Sequence, residues 1–477
     1  MKTKQFLKKM TVAAVLMFGT ALTTNANNVQ ITGTSVAGSV ATFSISWDNS
    51  WNANIAPNNW DAVWVFIKYQ DCATKLWAHA GLSTVGTDHT AGAPLQVDPV
   101  TDGKGVFIRR SALGGGSTGI ITVSLKMTIP AGTYNYKVYG VEMVNVPQGN
   151  FEIGDATSAS TFNNYTVTAT SQSGGISAAA LGGASAGVPA TYPVGYNAFY
   201  SMKYEITQEQ YVEFLNALTY DQQKTRTISD PISVTGTYAF SNSARNGIII
   251  ATPGSNSAIP AIYANDLTTG VINNANDGQN IAANFLAYAD IASYLDWAAL
   301  RPMSEIEYEK VCRGPLPRVA GEYAWGTTAI VQQYASLTTN GGTATEAITP
   351  AANGVCAYGI PSQGPLRVGI FATGSSGRAS AGAGYYGAME LSGNVYETII
   401  STNNTAGNAY TGNLGDGTLS VIGEANQTSW PANTGLGSGL RGASFDASAI
   451  YTRTSDRTSA TYTNAVRYNY LGGRGVR

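Results

Sequence analysis

The chain has 477 residues, only 12% of them charged, with 54 glycines, 44% hydrophobic residues and a formal net charge of −2. That hydrophobic share without a high net charge excludes a disordered chain. A mildly acidic chain without basic runs excludes a nucleic-acid partner. The length implies more than one domain, and the Gly/Ser/Thr/Asn-rich composition fits a β-rich, loop-rich extracellular protein.

The N-terminus predicts a secretory signal over residues 1–26. Lys2, Lys4, Lys8 and Lys9 form the charged region, Met10 to Leu22 the apolar core, and Thr24-Asn25-Ala26 the small-residue cleavage site. The expectation is an exported chain at the cell surface or outside the cell. The apolar core is too short to span a bilayer, and no transmembrane segment is expected in the mature chain. Three cysteines remain, Cys72, Cys312 and Cys356. An odd count allows one disulfide, and Cys312–Cys356 is the pair lying within one region.

Residues 27–139 read as an all-β, immunoglobulin-like sandwich. Thr42 to Trp47 alternates apolar and polar residues. Ala62 to Tyr69 is a β-branched and aromatic run. Gly105 to Ile108, Ile120 to Leu125 and Tyr134 to Val138 follow, separated by turn residues. We read this unit as a structural partner domain. Trp47, Trp51, Trp60, Trp64 and Trp77 are read as core or rim residues rather than a carbohydrate platform.

From Val141 the pattern changes. V-E-M-V-N-V-P-Q-G-N-F-E-I-G-D ends at Asp155, and Ser158 to Pro193 reads as a loop. In Phe199 to Thr207 a strand runs into a helix, with Thr207 and Gln210 spaced as a capping box. Tyr211, Phe214, Leu215 and Leu218 share one helical face. Thr219 to Gln279 carries no clear signal. Asp290 to Trp297 predicts a second helix. Ser304 with Glu307 caps a third, so Glu305, Glu307 and Glu309 read as a helix start rather than an acid/base cluster. Tyr323-Ala324-Trp325-Gly326 follows, then Gly387 to Glu397 (G-A-M-E-L-S-G-N-V-Y-E), the Gly/Asn/Thr-rich loop Ser401 to Gly439, and the closing Arg441-Gly442-Ala443-Ser444-Phe445 … Gly473-Arg474-Gly475-Val476-Arg477.

This ordered set, from Val141 to Arg477, resembles the formylglycine-generating enzyme (sulfatase-modifying factor) family. The resemblance implies a variant of the C-type lectin fold, so the whole chain is expected to be α+β, with the family domain over residues 140–477. It also implies a structural calcium at Glu390, Gly393, Val395 and Glu397, two carboxylates and two carbonyls. Hard oxygen ligands in a loop suit that ion. The family's enzymes hold copper with two cysteine thiolates. The matching positions are Ala447 and Thr452, so copper and oxidase chemistry are not expected. The two histidines, His79 and His89, lie in the N-terminal unit, away from any of these motifs.

The tail reads as a binding surface. Tyr451, Arg453, Tyr462, Arg467, Tyr468 and Tyr470 stand among Ser, Thr, Asn and Ala, the composition of recognition loops. Arg441, Arg457 and Arg477 are read as ion-pair partners. From Arg441 onward the tail lacks Lys, Glu, Gln, Met and Trp. Adenine-directed codon randomisation, which targets C-terminal segments of this fold, leaves such a composition. The function expected is a non-catalytic exported protein binding a surface glycan or envelope protein through its C-terminal loops. The alternatives are a self-assembling filament or motility-related subunit, and a residual sulfatase-modifying oxidase.

Overall fold

The computed structural model describes residues 28–158, 160–182, 185–255, 258–348 and 354–477. The predicted leader, residues 1–26, lies outside the described residues. The fold is α+β. One 11-stranded sheet runs through it, in the order Ser438–Arg441, Tyr396–Ile400, Arg301–Ser304, Gly475–Val476, Phe199–Met202, Tyr134–Val146, Asp61–Asp71, Val106–Arg110 and Leu95–Pro99; two short strands pair off this path. A 5-stranded sheet, built on Gln30–Ala37, Val40–Ser46 and Ile121–Thr128, faces its N-terminal half.

Period-two alternation explains that half. Phe43, Ile45, Val123 and Leu125 from the small sheet meet Val63, Val65 and Ile67 from the large one in a single buried cluster. The other face of Asp61–Asp71 is apolar too, which is why the run reads as continuously hydrophobic. Its Trp64 and Phe66 join Phe214, Tyr294 and Trp297 of the C-terminal helices in a second core. Trp64 donates its indole N–H to Ala298 O at 2.9 Å.

The two halves therefore share one sheet. The strand Tyr134–Val146 pairs with Asp61–Asp71 from Tyr134 to Val144, then with Phe199–Met202 from Met143 to Val146. The expected boundary at 139/140 falls inside this strand. The tail completes the join: Gly475–Val476 lies between Phe199–Met202 and Arg301–Ser304. Arg477 pairs with Asp102 at 2.7 Å, with its guanidinium 3.9 Å from the Trp64 ring centroid.

Both expected capping boxes form, at Thr207/Gln210 and Ser304/Glu307. Tyr211, Phe214, Leu215 and Leu218 are buried. Trp47 and Trp64 are core residues, whereas Trp51, Trp60 and Trp77 are half-buried. Three expectations need correction. Cys312 and Cys356 are buried and free, so no disulfide links them. The segment Ser158 to Pro193 holds the strand Tyr165–Val167 and the helices Ala169–Gly174 and Ala178–Leu181. Thr219 to Gln279 holds the helix Tyr220–Arg226 and the hairpin Ile248–Thr252/Ile262–Asn265. Elements this short are below the length at which periodicity stands out. Among the described residues no helix is long and apolar enough to cross a membrane.

Candidate functional site

The closing segment is fastened from below by buried charge. The helix Glu305–Arg313 begins with three carboxylates, all buried. Glu305 pairs with Arg457 (2.5 Å) and Arg441 (3.1 Å), Glu309 with Arg441 (2.8 Å) and Arg313 (3.1 Å), and Glu307 with Arg301 (2.7 Å). The Glu305 carboxyl is held below its ordinary range: burial opposes ionisation, but Arg457 and Arg441 outweigh it. Arg441, Arg457 and Arg477 are thus ion-pair partners, as their positions suggested.

The loop Gly387 to Glu397 packs beneath the same segment. Gly393 has φ +81°, and a Cβ there would lie 2.2 Å from Ala357 O and 2.4 Å from Cys356 Sγ, so only glycine fits. Asn394 accepts from Leu366 N through its side chain, and its carbonyl accepts from Phe445 N. Glu390 and Glu397 are both buried. Glu390 Oε1 accepts from Gly369 N at 2.8 Å, and Glu397 Oε1 accepts from Arg474 Nε at 2.6 Å. The second oxygen of each, Oε2, is buried without a hydrogen-bond partner. Glu205, also buried, accepts from Val395 N and the Asn394 amide.

Three carboxylates thus crowd around Arg474, with Arg367 also acting on Glu390. Burial pushes Glu390 up to about 7 and raises Glu205 and Glu397. The two unpartnered carboxyl oxygens are of the hard type that calcium prefers. Among the described residues no three His, Cys, Asp or Glu side chains are arranged to hold a metal. The four residues that the family resemblance assigns to calcium, Glu390, Gly393, Val395 and Glu397, all lie within Gly387 to Glu397.

Above this floor the tail turns outward. Arg457, Ala460 and Asn464 are buried, as is everything from Leu471 to Val476. Between these anchors Tyr462 and Tyr468 are 36% and 41% exposed. Tyr468 and Tyr470 stack at 5.3 Å with their planes 7° apart, and Tyr396 meets Tyr470 edge-on at 5.9 Å. The Tyr462 hydroxyl lies against those of Tyr468 and Tyr470, and burial raises its pKa. Tyr451 is half-buried and close enough to Tyr396 to act on it electrostatically.

The other tail residues do not join this patch. Arg453 is half-buried against Gly321 and Tyr323. Arg467 grips both oxygens of Asp290 at 2.7 Å and donates to Thr225 O and Thr227 O, so its guanidinium is committed to the fold. Tyr396 is a member that sequence reading missed. The signal was present: it occupies the variable position of G-N-V-x-E.

A family model described as "Sulfatase-modifying factor enzyme 1-like domain" matches residues 135–477. The chain belongs to this family. No curated protein matches it. Among solved structures, Treponema denticola variable protein 1 is similar at 13% identity and a TM-score of 0.32, covering 71% of this chain and 95% of that one. At that score nothing is carried from one protein to the other.

In this sulfatase-modifying-factor-like chain Ala447 is half-buried and Thr452 is buried, its hydroxyl donating to Ala449 O at 2.8 Å. The structure adds a neighbour that sequence distance concealed. The Cys356 thiol lies beside Thr452 and donates to Ser392 O at 2.9 Å. Burial pushes its pKa up, so it is held as the thiol rather than the nucleophilic, metal-binding thiolate.

Proposed function

We propose that this is an exported, non-catalytic member of the family that binds a surface glycan or envelope protein through its closing segment, with calcium at Glu390, Gly393, Val395 and Glu397. The observation that supports this reading is the division of labour along the tail. Arg441, Arg457, Arg467 and Arg474 are held by carboxylates, while Tyr462 and Tyr468 stand exposed and Tyr470 stacks on Tyr468. Rigid aromatic rings on a fixed base offer contact area at low entropic cost. The test is a screen of the mature chain against glycans and envelope proteins, with calcium and with chelator. The reading expects a ligand whose binding is lost in a Tyr462→Ala/Tyr468→Ala/Tyr470→Ala variant. Absence of any ligand for a folded sample would overturn it.

One observation favours assembly as the second reading. Gln30–Ala37 ends its sheet, pairs only with Val40–Ser46 among the described residues, and carries no charge. An uncharged edge strand is a template for pairing with another copy. Concentration-dependent polymer in sedimentation, abolished by Thr34→Lys, would support it; a strict monomer would count against it.

A further inference from the structure

Three ionisable side chains meet in the interior where the N-terminal half joins the family domain. Asp61 opens the strand Asp61–Asp71, Glu142 lies in the neighbouring Tyr134–Val146, and Lys203 directly follows Phe199–Met202. Lys203 N donates to Glu142 O at 2.9 Å, fixing the register. The Lys203 amine is 3.0 Å from Glu142 Oε2 and 3.9 Å from Asp61 Oδ2. The three side chains are 3%, 4% and 1% exposed, in that order. Trp51 and Tyr204 lie beside the amine, with ring centroids 5.1 and 5.3 Å away.

The Asp61 carboxyl is held unlike an ordinary ion-pair partner. Oδ1 accepts from Trp51 N at 2.8 Å and Ser50 Oγ at 3.0 Å, two fixed donors on one oxygen. Oδ2 accepts from Trp47 Nε1 at 2.9 Å and is the oxygen nearer the amine. Glu142 keeps one oxygen, Oε1, buried and without a hydrogen-bond partner. The set is thus an amine, a carboxyl with two donors on one oxygen, and a carboxylate in contact with the amine. These are the parts of an acyl-transfer site, closed to water.

We propose that Lys203 and Asp61 condense to an intramolecular isopeptide bond, with Glu142 as the proton carrier. The Lys203 ammonium passes a proton to Glu142 Oε2, and the neutral amine adds to Cγ of the protonated Asp61 carboxyl. Charge develops on Oδ1, where Trp51 N–H and Ser50 O–H donate. Glu142 then protonates Oδ2, which leaves as water, and takes back the surplus nitrogen proton. The products are one secondary amide, one water and a protonated Glu142; no oxidant or cofactor enters.

Two electrostatic effects bear on the rate. Burial raises the Asp61 carboxyl to about 6, which supplies the protonated acid that the step needs. Burial lowers the Lys203 amine, but Glu142, Tyr204 and Asp61 outweigh it and hold the proton on nitrogen. Proton transfer to Glu142 is therefore uphill. The product would staple the N-terminal half to the family domain through the middle of the shared sheet.

The test is peptide mapping by mass spectrometry on the purified, folded chain after incubation near the Asp61 pKa of about 6. The expected result is one branched tryptic product joining the peptides that contain Asp61 and Lys203, lighter than their sum by one water and uncleaved after Lys203. Lys203→Arg and Glu142→Gln should each return the two separate peptides at full mass, and Glu142→Gln keeps the size of the side chain it replaces. Recovery of both peptides at full mass from the wild-type chain would overturn the proposal and leave the three residues as a buried ion-pair cluster.

Discussion

Arg441 and Glu309 lie 2.8 Å apart and are both fully buried, joining the closing segment to the first turns of the helix Glu305–Arg313. Arg441 also reaches Glu305 and the Thr454 carbonyl. Desolvation opposes burying such charges, so the pairs are weak evidence for stability as such. What they do is fix one path for the chain beneath the exposed tyrosines. Removing one partner strands the other. Arg441→Met should therefore destabilise the fold by about 3–5 kcal/mol in denaturant unfolding, and a change within ~0.5 kcal/mol would contradict this role.

Gly393 supplies a steric counterpart. Its φ of +81°, and the 2.2 Å at which a Cβ would meet Ala357 O, leave no room for alanine. Gly393→Ala should cost about 2–4 kcal/mol, beyond what a positive φ alone imposes. Gly33 has φ +66° with nothing near its Cβ position. Gly33→Ala should cost only about 1 kcal/mol. Equal effects of the two substitutions would show that the contact with Ala357 and Cys356 does not matter.

Much of this domain was legible because its motifs are local. Capping boxes, a Gly-Asn loop and a Trp-Gly turn are set by neighbours in sequence. The shared sheet was not legible: Tyr134–Val146 alternates on both sides of residue 139, and nothing local says that its partner changes from Asp61–Asp71 to Phe199–Met202. The tail composition marked six residues as recognition candidates. It could not separate Tyr468, exposed, from Arg467, which Asp290 holds from 177 positions away. Likewise, Cys356 lies beside Thr452 although 96 residues separate them in sequence.

Asp296 gives the fold a pH signature. Its carboxylate is buried and accepts from Asp416 N and Asn426 N at 2.9 Å. Burial, opposed by those hydrogen bonds, raises it from 3.8 to about 6. Between these values the folded chain holds a proton that the unfolded chain has lost, so this group's contribution falls as pH rises through the window. The total is on the order of 3 kcal/mol. Asp296→Asn should remove that slope between about pH 4 and pH 6 in denaturant midpoints; parallel wild-type and variant profiles would contradict the assignment.

Calcium should raise the melting temperature if the free oxygens of Glu390 and Glu397 take it up. At 100 times the dissociation constant the gain is about 2.7 kcal/mol. Glu390→Gln should abolish the calcium-dependent part and leave the melting temperature in chelator near that of the wild type. Identical melting of the wild type in calcium and in chelator would rule the ion out at this loop.

If the tail tyrosines contact a ligand while the arginines hold the base, binding and stability should separate in one variant, Tyr462→Ala/Tyr468→Ala. Both residues are exposed, so unfolding free energy should stay within about 1 kcal/mol of wild type. The affinity for a ligand captured by the wild-type chain should fall by at least about 30-fold, the loss of one anchor worth about 2 kcal/mol. Unchanged affinity in a stable variant would contradict this division of roles and move the binding surface elsewhere on the molecule.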